Sequence, residues 1–506
     1  MSRIVRNSVL NGAAMAVTSV LSLVLVPILI GRYGLDDYGL IPLLRLLTPL
    51  GAFGLAALGL PAIATRVAGA AHADAERLRR AQSTLVAVAL LLGACISVLL
   101  LAVGWETLAG PLKVPDSGQQ AFAIGFYLLS ALMPLLVAGF LLTAALTGLG
   151  RFRVLRPIEV AVYAGYFTVS LAAAWRGLPI QYVLIALLAA DGVRAAVLLS
   201  HARYSSLIAL RAVLRPDWRW LAAHLRDFHV LSAASVLGYS RKYIAAGSIA
   251  LLFGPAGVGL YDAIEKVPRA FKTLLGLVNT AALPHAVRLD AAANYDQLRS
   301  LLVRGTRLTL LCTLPLAAAV MFYAATLISV WLGPDLAYAG MLLALLMVPF
   351  ALDATLSIVT TATLSRLALM AEQNKIAVVE IVVFLAVVAL LVAQAGQAAA
   401  YAATAVAALV GYVLRSWVFL PAFGIDRGVW RRLLAKVLLG SAAGSAAVYL
   451  AVRMIGAGPL LTLSTAVGAA LAGAAMIVLL WTPEERRDLH SVYASLRGLL
   501  PLRPSR

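Results

Sequence analysis

Charged residues are scarce in this chain of 506 residues. They make up 12% of the sequence, about half of the roughly 25% that soluble domains carry, whereas 62% of the residues are hydrophobic. Too few charges therefore remain to cover the surface of a soluble globule of this length. The apolar residues occur in blocks of about 20 to 28, each long enough to cross a hydrocarbon core about 30 Å thick. The sequence predicts an all-α polytopic membrane protein and excludes a soluble enzyme, a secreted disulfide-rich domain and a disordered chain.

Cysteine and histidine are almost missing from the apolar blocks. The two cysteines, Cys95 and Cys312, lie in separate blocks, so they predict neither a disulfide framework nor a metal site. All six histidines fall between the blocks, which excludes histidine as a proton carrier inside the membrane. The sequence also lacks a Walker-type glycine loop. We therefore predict no cofactor and no nucleotide hydrolysis by this chain.

Apolar runs separated by charges or turn residues predict fourteen membrane spans. They are placed at 8–31, 39–63, 83–105, 121–148, 157–175, 180–200, 229–253, 260–283, 307–331, 339–363, 376–394, 398–420, 436–455 and 460–481. The first span follows Arg3 and Arg6 and is too long for a cleavable signal, whose apolar region has roughly 7–15 residues.

The basic residues alternate between the two sides of these spans. The N-terminus and the loops after even-numbered spans hold 28 lysines and arginines, but the opposite loops hold only Arg32, Lys113 and Arg176. Because Lys and Arg accumulate in cytoplasmic loops, both termini are predicted to be cytoplasmic. This asymmetry explains most of the net charge of +19 without a nucleic-acid partner. No opposite loop exceeds about 15 residues, which leaves no room for an extracytoplasmic catalytic domain, so an enzyme is not expected.

An internal repeat relates the two halves of the chain. At an offset of 223 residues, Gly31-x-x-Gly34-Leu35-x-x-Tyr38 matches Gly254-x-x-Gly257-Val258-x-x-Tyr261, and Leu60-Pro61 matches Leu283-Pro284. Six spans separate the copies, so they predict two lobes that share one orientation, as in transporters built from parallel repeats. The predicted divisions are an N-lobe at 1–200, an interfacial cytoplasmic linker at 201–228, a C-lobe at 229–422, an extra peripheral helix pair at 423–481 and an amphipathic cytoplasmic tail at 482–506.

Several segments resemble the Wzx-type polysaccharide flippases of the multidrug/oligosaccharidyl-lipid/polysaccharide exporter superfamily. They are the Asn at the start of span 1, the Gly-x-x-Gly-h-x-x-Tyr turn, GVGLYDAIEKV at 257–267, LPHAVRLDAAANYDQLRSLL at 283–302 and VWLGP at 330–334. The resemblance covers nearly the whole chain and includes the count of fourteen spans. In one respect the chain departs from the family. Many members carry an acid midway through span 7, where this chain has Arg241 and Lys242, so an ion-coupling role for that acid does not carry over.

The resemblance implies a V-shaped central cavity and transport by alternating access. The implied substrate is an undecaprenyl-diphosphate-linked oligosaccharide repeat unit, moved from the cytoplasmic to the periplasmic leaflet of a bacterial inner membrane for exopolysaccharide or O-antigen (lipopolysaccharide) assembly. The implied partners are this lipid-linked oligosaccharide, the lipid bilayer, a polysaccharide polymerase and a chain-length regulator, with no nucleic acid.

Spans 7 and 8 carry charges at membrane depth, where each costs at least about 2.5–3.5 kcal/mol. Arg241 and Lys242 lie near the middle of span 7. On span 8, five charged residues follow at i, i+3, i+4, i+7 and i+10 and share one helical face: Asp262, Glu265, Lys266, Arg269 and Lys272. Two i,i+4 pairs compensate part of this charge, and the remaining cations favour an anionic ligand such as phosphate.

These patterns predict three sets of site residues. The residues expected to bind the diphosphate in a cationic cavity are Arg45, Arg241, Lys242, Lys266, Arg269 and Lys272. The candidate glycan contacts are Asn11, Asn279 and Asp353. The candidate proton-coupling acids are Asp262, Glu265 and Asp191, and no metal ligand is predicted.

Alternatives remain at this stage. The charges could instead form a closed salt-bridge network, and Asp191 and Arg194 could simply neutralise each other at i,i+3. A peptidoglycan-precursor (lipid II) flippase is the nearest rival function, but span 1 contains no arginine at membrane depth. A multidrug or cation antiporter of the same fold would favour an acidic or aromatic cavity, against which the excess of cations argues.

Overall fold

The chain is described by a computed structural model, which covers residues 3–49, 51, 59–70, 74–227, 229–363, 366–455, 458–483 and 486. Every long regular element within these ranges is a helix, which confirms the predicted all-α class. The helices, numbered in chain order, are α1 (Arg3–Leu46), α2 (Leu60–Ala70), α3 (Ala75–Val103), α4 (Trp105–Ala109), α5 (Asp116–Gly148), α6 (Phe152–Trp175), α7 (Gln181–Tyr204), α8 (Leu210–Val213), α9 (Trp218–Asp227), α10 (His229–Ala291), α11 (Tyr295–Phe322), α12 (Ala324–Leu332), α13 (Ala339–Ala362), α14 (Leu367–Ala395), α15 (Ala398–Ala422), α16 (Arg427–Met454) and α17 (Pro459–Leu480).

Among the described residues, eleven helices are long and apolar enough to cross a membrane, and Ser464–Leu480 is a shorter apolar helix. This confirms a polytopic membrane protein. The eleven are three fewer than the fourteen predicted spans. Two are accounted for by α1 and α10, each of which is one helix with a kink where the sequence suggested two spans, and the third is predicted span 14, which falls on the shorter Ser464–Leu480. Part of predicted span 2 and nearly all of the predicted tail lie outside the described residues.

Both of these long helices are broken at a glycine. Gly34 in α1 has φ 76° and Gly254 in α10 has φ 70°, a backbone conformation that only glycine adopts without steric cost. The two breaks are 220 residues apart, whereas the sequence match has an offset of 223 and pairs Gly34 with Gly257. The structural repeat therefore differs from the sequence repeat by three residues at this point.

The chain divides into two compact units. The first comprises residues 1–273 and 367–407, and the second comprises 274–366 and 408–506. The predicted division into lobes, linker, helix pair and tail stays a prediction.

In the first unit, α1 and α10 cross at two glycines. A Cβ on Gly39 would lie 1.9 Å from the carbonyl oxygen of Pro255, and a Cβ on Gly259 would lie 3.0 Å from the Cα of Gly39. Helix backbones approach this closely only where side chains are absent, as small residues permit in membrane proteins. The crossing brings the charged face of α10 next to α1.

Two short loops of the first unit hold the broken helices near their kinks. The ammonium of Lys113 donates a hydrogen bond of 2.7 Å to the carbonyl oxygen of Leu252, two residues before the break in α10. The hydroxyl of Tyr33, next to the break in α1, donates a hydrogen bond of 2.8 Å to the carbonyl oxygen of Leu178. A cation is favourable at the carboxyl end of a helix segment because the last carbonyl groups lack helical donors.

The second unit contains α11, α13, α16 and α17. Helices α16 and α17 approach at Gly444, where an added Cβ would lie 2.4 Å from the backbone nitrogen of Gly473. Both helices also pack on α11, and the hydroxyl groups of Tyr323 and Thr465 are 2.9 Å apart.

One arginine links several segments in the second unit. The guanidinium of Arg366 donates to the carboxylate of Asp290 at 2.5–3.1 Å and to the carbonyl oxygen of Ala422 at 2.9 Å. It also lies 4.9 Å from the ring centroid of Phe423 and 5.6 Å from that of Tyr295. The hydrogen bond to Asp290 raises the pKa of Arg366, so the guanidinium stays charged.

Candidate functional site

Two adjacent cavities lie inside the first unit, with volumes of about 310 and 370 Å³. Both volumes fall at the lower end of the roughly 300–1,000 Å³ typical of small-molecule sites. Helices α1, α6, α7 and α10 line them. Five residues line both cavities and are called the shared wall here: Arg45, Tyr163, Asp191, Arg194 and Arg269. The shared wall therefore contains three arginines and one acid.

The two cavities differ in the rest of their lining. The smaller one, the hydroxyl cavity, adds Thr18, Ser19, Ser22, Tyr166 and Glu159 together with Lys266. The larger one, the tyrosine cavity, adds Tyr243 and Tyr261 to the shared Tyr163 and also includes Pro42, Leu46, Val258 and Asp262.

A buried polar cluster joins α1 to α10 beside these cavities. The hydroxyl of Tyr38 donates to the carboxylate of Asp262 at 2.9 Å, and the ammonium of Lys266 donates to that hydroxyl at 3.0 Å. Lys266 also forms an ion pair with Asp262, and both side chains are nearly buried. The ion pair confirms the predicted i,i+4 compensation, but the contact with Tyr38 was not predicted.

Arg269 is only partly neutralised. It forms an ion pair with Glu265, and its second acid partner, Asp262, lies 4.0 Å away. Its side chain is 42% exposed, the largest exposed fraction of the three residues. Its Nε atom is buried and has no hydrogen-bond partner among the described residues. A ligand cannot reach this buried atom, but the side chain as a whole is partly exposed and lines both cavities.

Asp191 and Arg194 on α7 form a loose pair. Their closest nitrogen–oxygen distance is 3.8 Å, which is too long for a hydrogen bond. Both side chains belong to the shared wall, and within the described part of the chain the buried Nε of Arg194 has no hydrogen-bond partner. The distance agrees with the i,i+3 ion pair that the sequence allowed, and the two side chains are not hydrogen-bonded to each other.

Arg45 contributes a cation without a matching acid. Its guanidinium lies 6.0 Å from the ring centroid of Tyr166, a cation–π contact, and it forms neither an ion pair nor a side-chain hydrogen bond with any described residue. A half-buried cation at membrane depth is costly unless an anion or water compensates it. Arg45 is therefore a candidate anion-binding group among the described residues of the first unit.

The structure places the other predicted residues as follows. Lys272 is exposed on α10 and does not line either cavity. Arg241, Lys242 and Asn279 lie on α10, but their side chains are outside the described residues. The predicted roles of these residues stay predictions.

Two further candidates, Asn11 and Asp353, line neither cavity. Asn11 on α1 is half-buried, and its side-chain oxygen has no hydrogen-bond partner among the described residues. Asp353 lies in the second unit, 3.8 Å from Arg415. The described residues contain no group of three or more acids, histidines or cysteines that could bind a metal.

Sequence reasoning missed the tyrosines and Arg194. A tyrosine within an apolar run is equally consistent with a helix–helix contact, and Arg194 had a local acid at i−3 that accounted for it. No signal within single spans shows that α1, α6, α7 and α10 bring these side chains together.

No protein-family profile matches the sequence, and no curated protein matches it. Solved structures do match. The chain is similar to the lipid II flippase MurJ in an inward closed conformation, with a TM-score of 0.69 and 11% identity over 93% of this chain and 98% of that one. It is also similar to an inward-facing multidrug resistance MATE family transporter of the MOP superfamily, with a TM-score of 0.57 and 14% identity over 82% of this chain and 94% of that one.

A third similar structure is a MOP superfamily transporter from Pyrococcus furiosus, described as having a binding pocket of reverse polarity. The TM-score is 0.55 and the identity is 16% over 84% of this chain and 96% of that one. At these identities the similarity establishes the fold, which is the one predicted for the superfamily. Membership of the Wzx-type branch stays a prediction.

Proposed function

We propose that this protein is a flippase for lipid-diphosphate-linked saccharides, and that its substrate is an undecaprenyl-diphosphate-linked oligosaccharide repeat unit. It would move this substrate from the cytoplasmic to the periplasmic leaflet of the inner membrane by alternating access. The fold supports a transporter, since the similar structures are a flippase and MATE transporters. The Wzx-type resemblance of the sequence supports the oligosaccharide as the cargo.

The observation that carries the proposal is the shared wall with its unpaired Arg45. Three arginines surround one acid there, and Arg45 has no acidic partner within ion-pair distance among the described residues. Arginine binds phosphate through parallel, charge-assisted hydrogen bonds, and a diphosphate presents several oxygens in reach of more than one arginine. The excess of positive charge disfavours a cationic drug as the substrate.

The acids of the site do not cancel this preference. Asp262 and Glu265 are each occupied by a cation on the same helix, Lys266 and Arg269. Glu159 in the hydroxyl cavity is paired with Arg156, which does not line either cavity. Asp191 is loosely paired with Arg194 on the same helix, whereas Arg45, which lines both cavities, has no acid within ion-pair distance among the described residues.

A second candidate substrate is the peptidoglycan precursor lipid II. The observation in its favour is the fold similarity to MurJ, which covers 93% of this chain. Both substrates present a polyprenyl diphosphate, so the shared wall fits either. The two substrates differ in the saccharide, so only contacts with the saccharide can distinguish them.

Reconstitution into proteoliposomes tests the proposal directly. Fluorescent undecaprenyl-diphosphate-linked oligosaccharide and lipid II are supplied in separate vesicles, and their accessibility to an external reagent reports translocation. We expect transport of the oligosaccharide by the wild type, a loss of at least about tenfold in Arg45→Ala, and partial activity in Arg45→Lys, because lysine keeps the charge but not the fork.

Arg153→Ala is the matched control, because Arg153 is exposed at the start of α6 and does not line either cavity. Transport of lipid II but not of the oligosaccharide would identify lipid II as the substrate. Full activity in Arg45→Ala, or transport of neither lipid, would refute the proposed function.

A further inference from the structure

The bond structure of the substrate restricts where its parts can lie in the site. In a lipid-diphosphate-linked saccharide the first sugar is bonded directly to one phosphate, and the polyprenyl chain is bonded to the other. If the arginines of the shared wall bind the diphosphate, the first sugar must occupy a space that touches this wall. The hydroxyl cavity and the tyrosine cavity both meet this condition.

We infer that the tyrosine cavity is the binding site for the first sugar of the lipid-linked saccharide. This inference rests on the proposed function and adds a saccharide subsite to it. The cavity has a volume of about 370 Å³, and its lining includes Tyr163 from α6 and Tyr243 and Tyr261 from α10. Pyranose rings present an apolar C–H face that stacks on aromatic rings, whose faces carry negative charge density.

The polar groups of the cavity suit the sugar hydroxyls. Asp191 is not hydrogen-bonded to Arg194, so its carboxylate retains acceptor capacity towards a hydroxyl group. The guanidinium groups of the shared wall supply donors on the same side. An aromatic wall that faces a few fixed polar groups is the usual composition of a small-molecule site.

Packing holds Tyr261 in place for this role. Its ring contacts the ring of Tyr401 edge-on, with 5.6 Å between the centroids, and the side chain is almost fully buried. Tyr261 and Val258 follow the Gly254 break in α10, which the predicted topology places at the extracytoplasmic end. On this topology Tyr261 lies closer to the extracytoplasmic side than Arg269 does. A saccharide that entered from the cytoplasm would therefore pass Arg269 of the shared wall before it reached Tyr261.

The hydroxyl cavity is less suited to a sugar of this kind. Its additional lining includes the paired acid Glu159 and the buried Lys266, and its one additional aromatic ring, Tyr166, is engaged by Arg45. Three tyrosines line the tyrosine cavity, whereas two line the hydroxyl cavity, one of which is the shared Tyr163.

Binding of three probes to the purified full-length protein separates the subsite from the diphosphate site. The probes are inorganic diphosphate, farnesyl diphosphate and farnesyl diphosphate that carries one N-acetylhexosamine, with dissociation constants measured by calorimetry. We expect Tyr243→Leu to weaken binding of the glycosylated probe about tenfold and to leave the other two within about twofold. Tyr243→Phe should retain binding, because the ring is kept.

Tyr182→Leu is the matched control. Tyr182 lies on α7, as Asp191 does, but it is 45% exposed and does not line the cavity. If Tyr243→Leu does not yield folded protein, Tyr163→Leu is compared with the variant that carries Ser19→Val and Ser22→Val, because Tyr163 lines both cavities whereas the two serines line only the hydroxyl cavity. Tyr163→Leu should then show the selectivity for the glycosylated probe that is expected of Tyr243→Leu, and the serine variant should not.

Three outcomes would overturn the inference. The first is an equal loss for all three probes, the second is no loss for any, and the third is selective loss in Ser19→Val with Ser22→Val, which would place the sugar in the hydroxyl cavity. If the wild type bound none of the probes, the proposed function itself would fail. Intact binding of farnesyl diphosphate with unselective tyrosine variants would refute only the subsite.

Discussion

Gly39 of α1 and Gly259 of α10 are in backbone contact, and a Cβ on Gly259 would lie 3.0 Å from the Cα of Gly39. The Tyr38–Asp262 hydrogen bond forms one residue before the first glycine and three residues after the second. The ion pair between Asp262 and Lys266 lies within α10, and the neutral hydroxyl of Tyr38 reaches it from α1 across a helix crossing that tolerates no side chain at its centre.

Replacement of Gly39 by alanine should therefore destabilise the protein. The new methyl group would lie 1.9 Å from a backbone carbonyl oxygen, so the helices must separate, at a cost beyond the about 1–3 kcal/mol of ordinary overpacking. We expect low yield and early thermal unfolding of Gly39→Ala in detergent. Gly31→Ala is the control on the same helix, because no atom lies within 4 Å of its added Cβ. Equal stability of the two variants would contradict the close crossing.

Loss of the acid at position 262 should cost more stability than loss of the acid at 265. Asp262→Asn leaves the ammonium of Lys266, with a side chain only 7% exposed, without its counter-charge, which costs about 3–5 kcal/mol in a buried pair. Glu265→Gln leaves Arg269, whose side chain is 42% exposed and can be solvated. Unfolding midpoints of both variants measure the difference, and an equal or reversed order would show that Lys266 is not sealed.

Tyr38→Phe isolates the hydroxyl of the same cluster. It removes a hydrogen bond to a charged carboxylate but keeps the ring, so we expect a loss of about 1.5–3 kcal/mol. Folding stability of Tyr38→Phe, Asp262→Asn and the double variant gives the coupling between the two residues. Strictly additive effects would mean that the hydroxyl and the carboxylate do not act together.

If transport is coupled to protons, we expect the coupling to depend on an acid that is ion-paired with a phosphate-binding arginine or lysine. Arg269 is paired with Glu265, so a diphosphate that bound Arg269 would weaken this pair and would make protonation of Glu265 easier. We expect Glu265→Gln to flatten the dependence of transport on an imposed pH gradient, with Asp262→Asn and Asp191→Asn as the next candidates. Unchanged gradient dependence in all three variants, with transport still active, would eliminate this route.

The hydrogen bonds of Arg366 in the second unit predict that lysine at this position stabilises the fold less than arginine does. Arg366 hydrogen-bonds one carboxylate and one backbone carbonyl at once, which a single ammonium cannot reproduce. Arg366→Lys should therefore lower the free energy of unfolding by about 1–2 kcal/mol. Lys375→Met provides the control, because the pair of Lys375 with Glu372 is exposed and contributes little. No difference between the two variants would show that the bonds of Arg366 do not stabilise the fold.

Hydropathy and charge patterns predicted the all-α membrane fold, because both reflect the solvent in which each segment lies. Spacing likewise placed Asp262, Lys266 and Arg269 on one face of α10, and all three line the cavities of the first unit. The helical face on which a residue lies depends only on its spacing along one segment, so it can be predicted from that segment alone.

Other features depend on contacts between distant segments and could not be predicted in this way. The hydrogen bond of Tyr38 to Asp262 joins residues 224 positions apart. The helix breaks are at Gly34 and Gly254, but the sequence match pairs Gly254 with Gly31, since the matched motif does not itself determine which glycine breaks the helix. The break at Gly254 is also packed against the loop around Lys113. A Cβ added to Gly254 would lie 3.1 Å from the Cβ of Lys113.

The bond between Lys113 and Leu252 has a consequence for biogenesis. The two residues are 139 positions apart, and protein chains emerge from the ribosome N-terminus first. Lys113 is therefore made well before its carbonyl partner. The hydrogen bond that supports the break in α10 cannot form until about half of the chain has been synthesised.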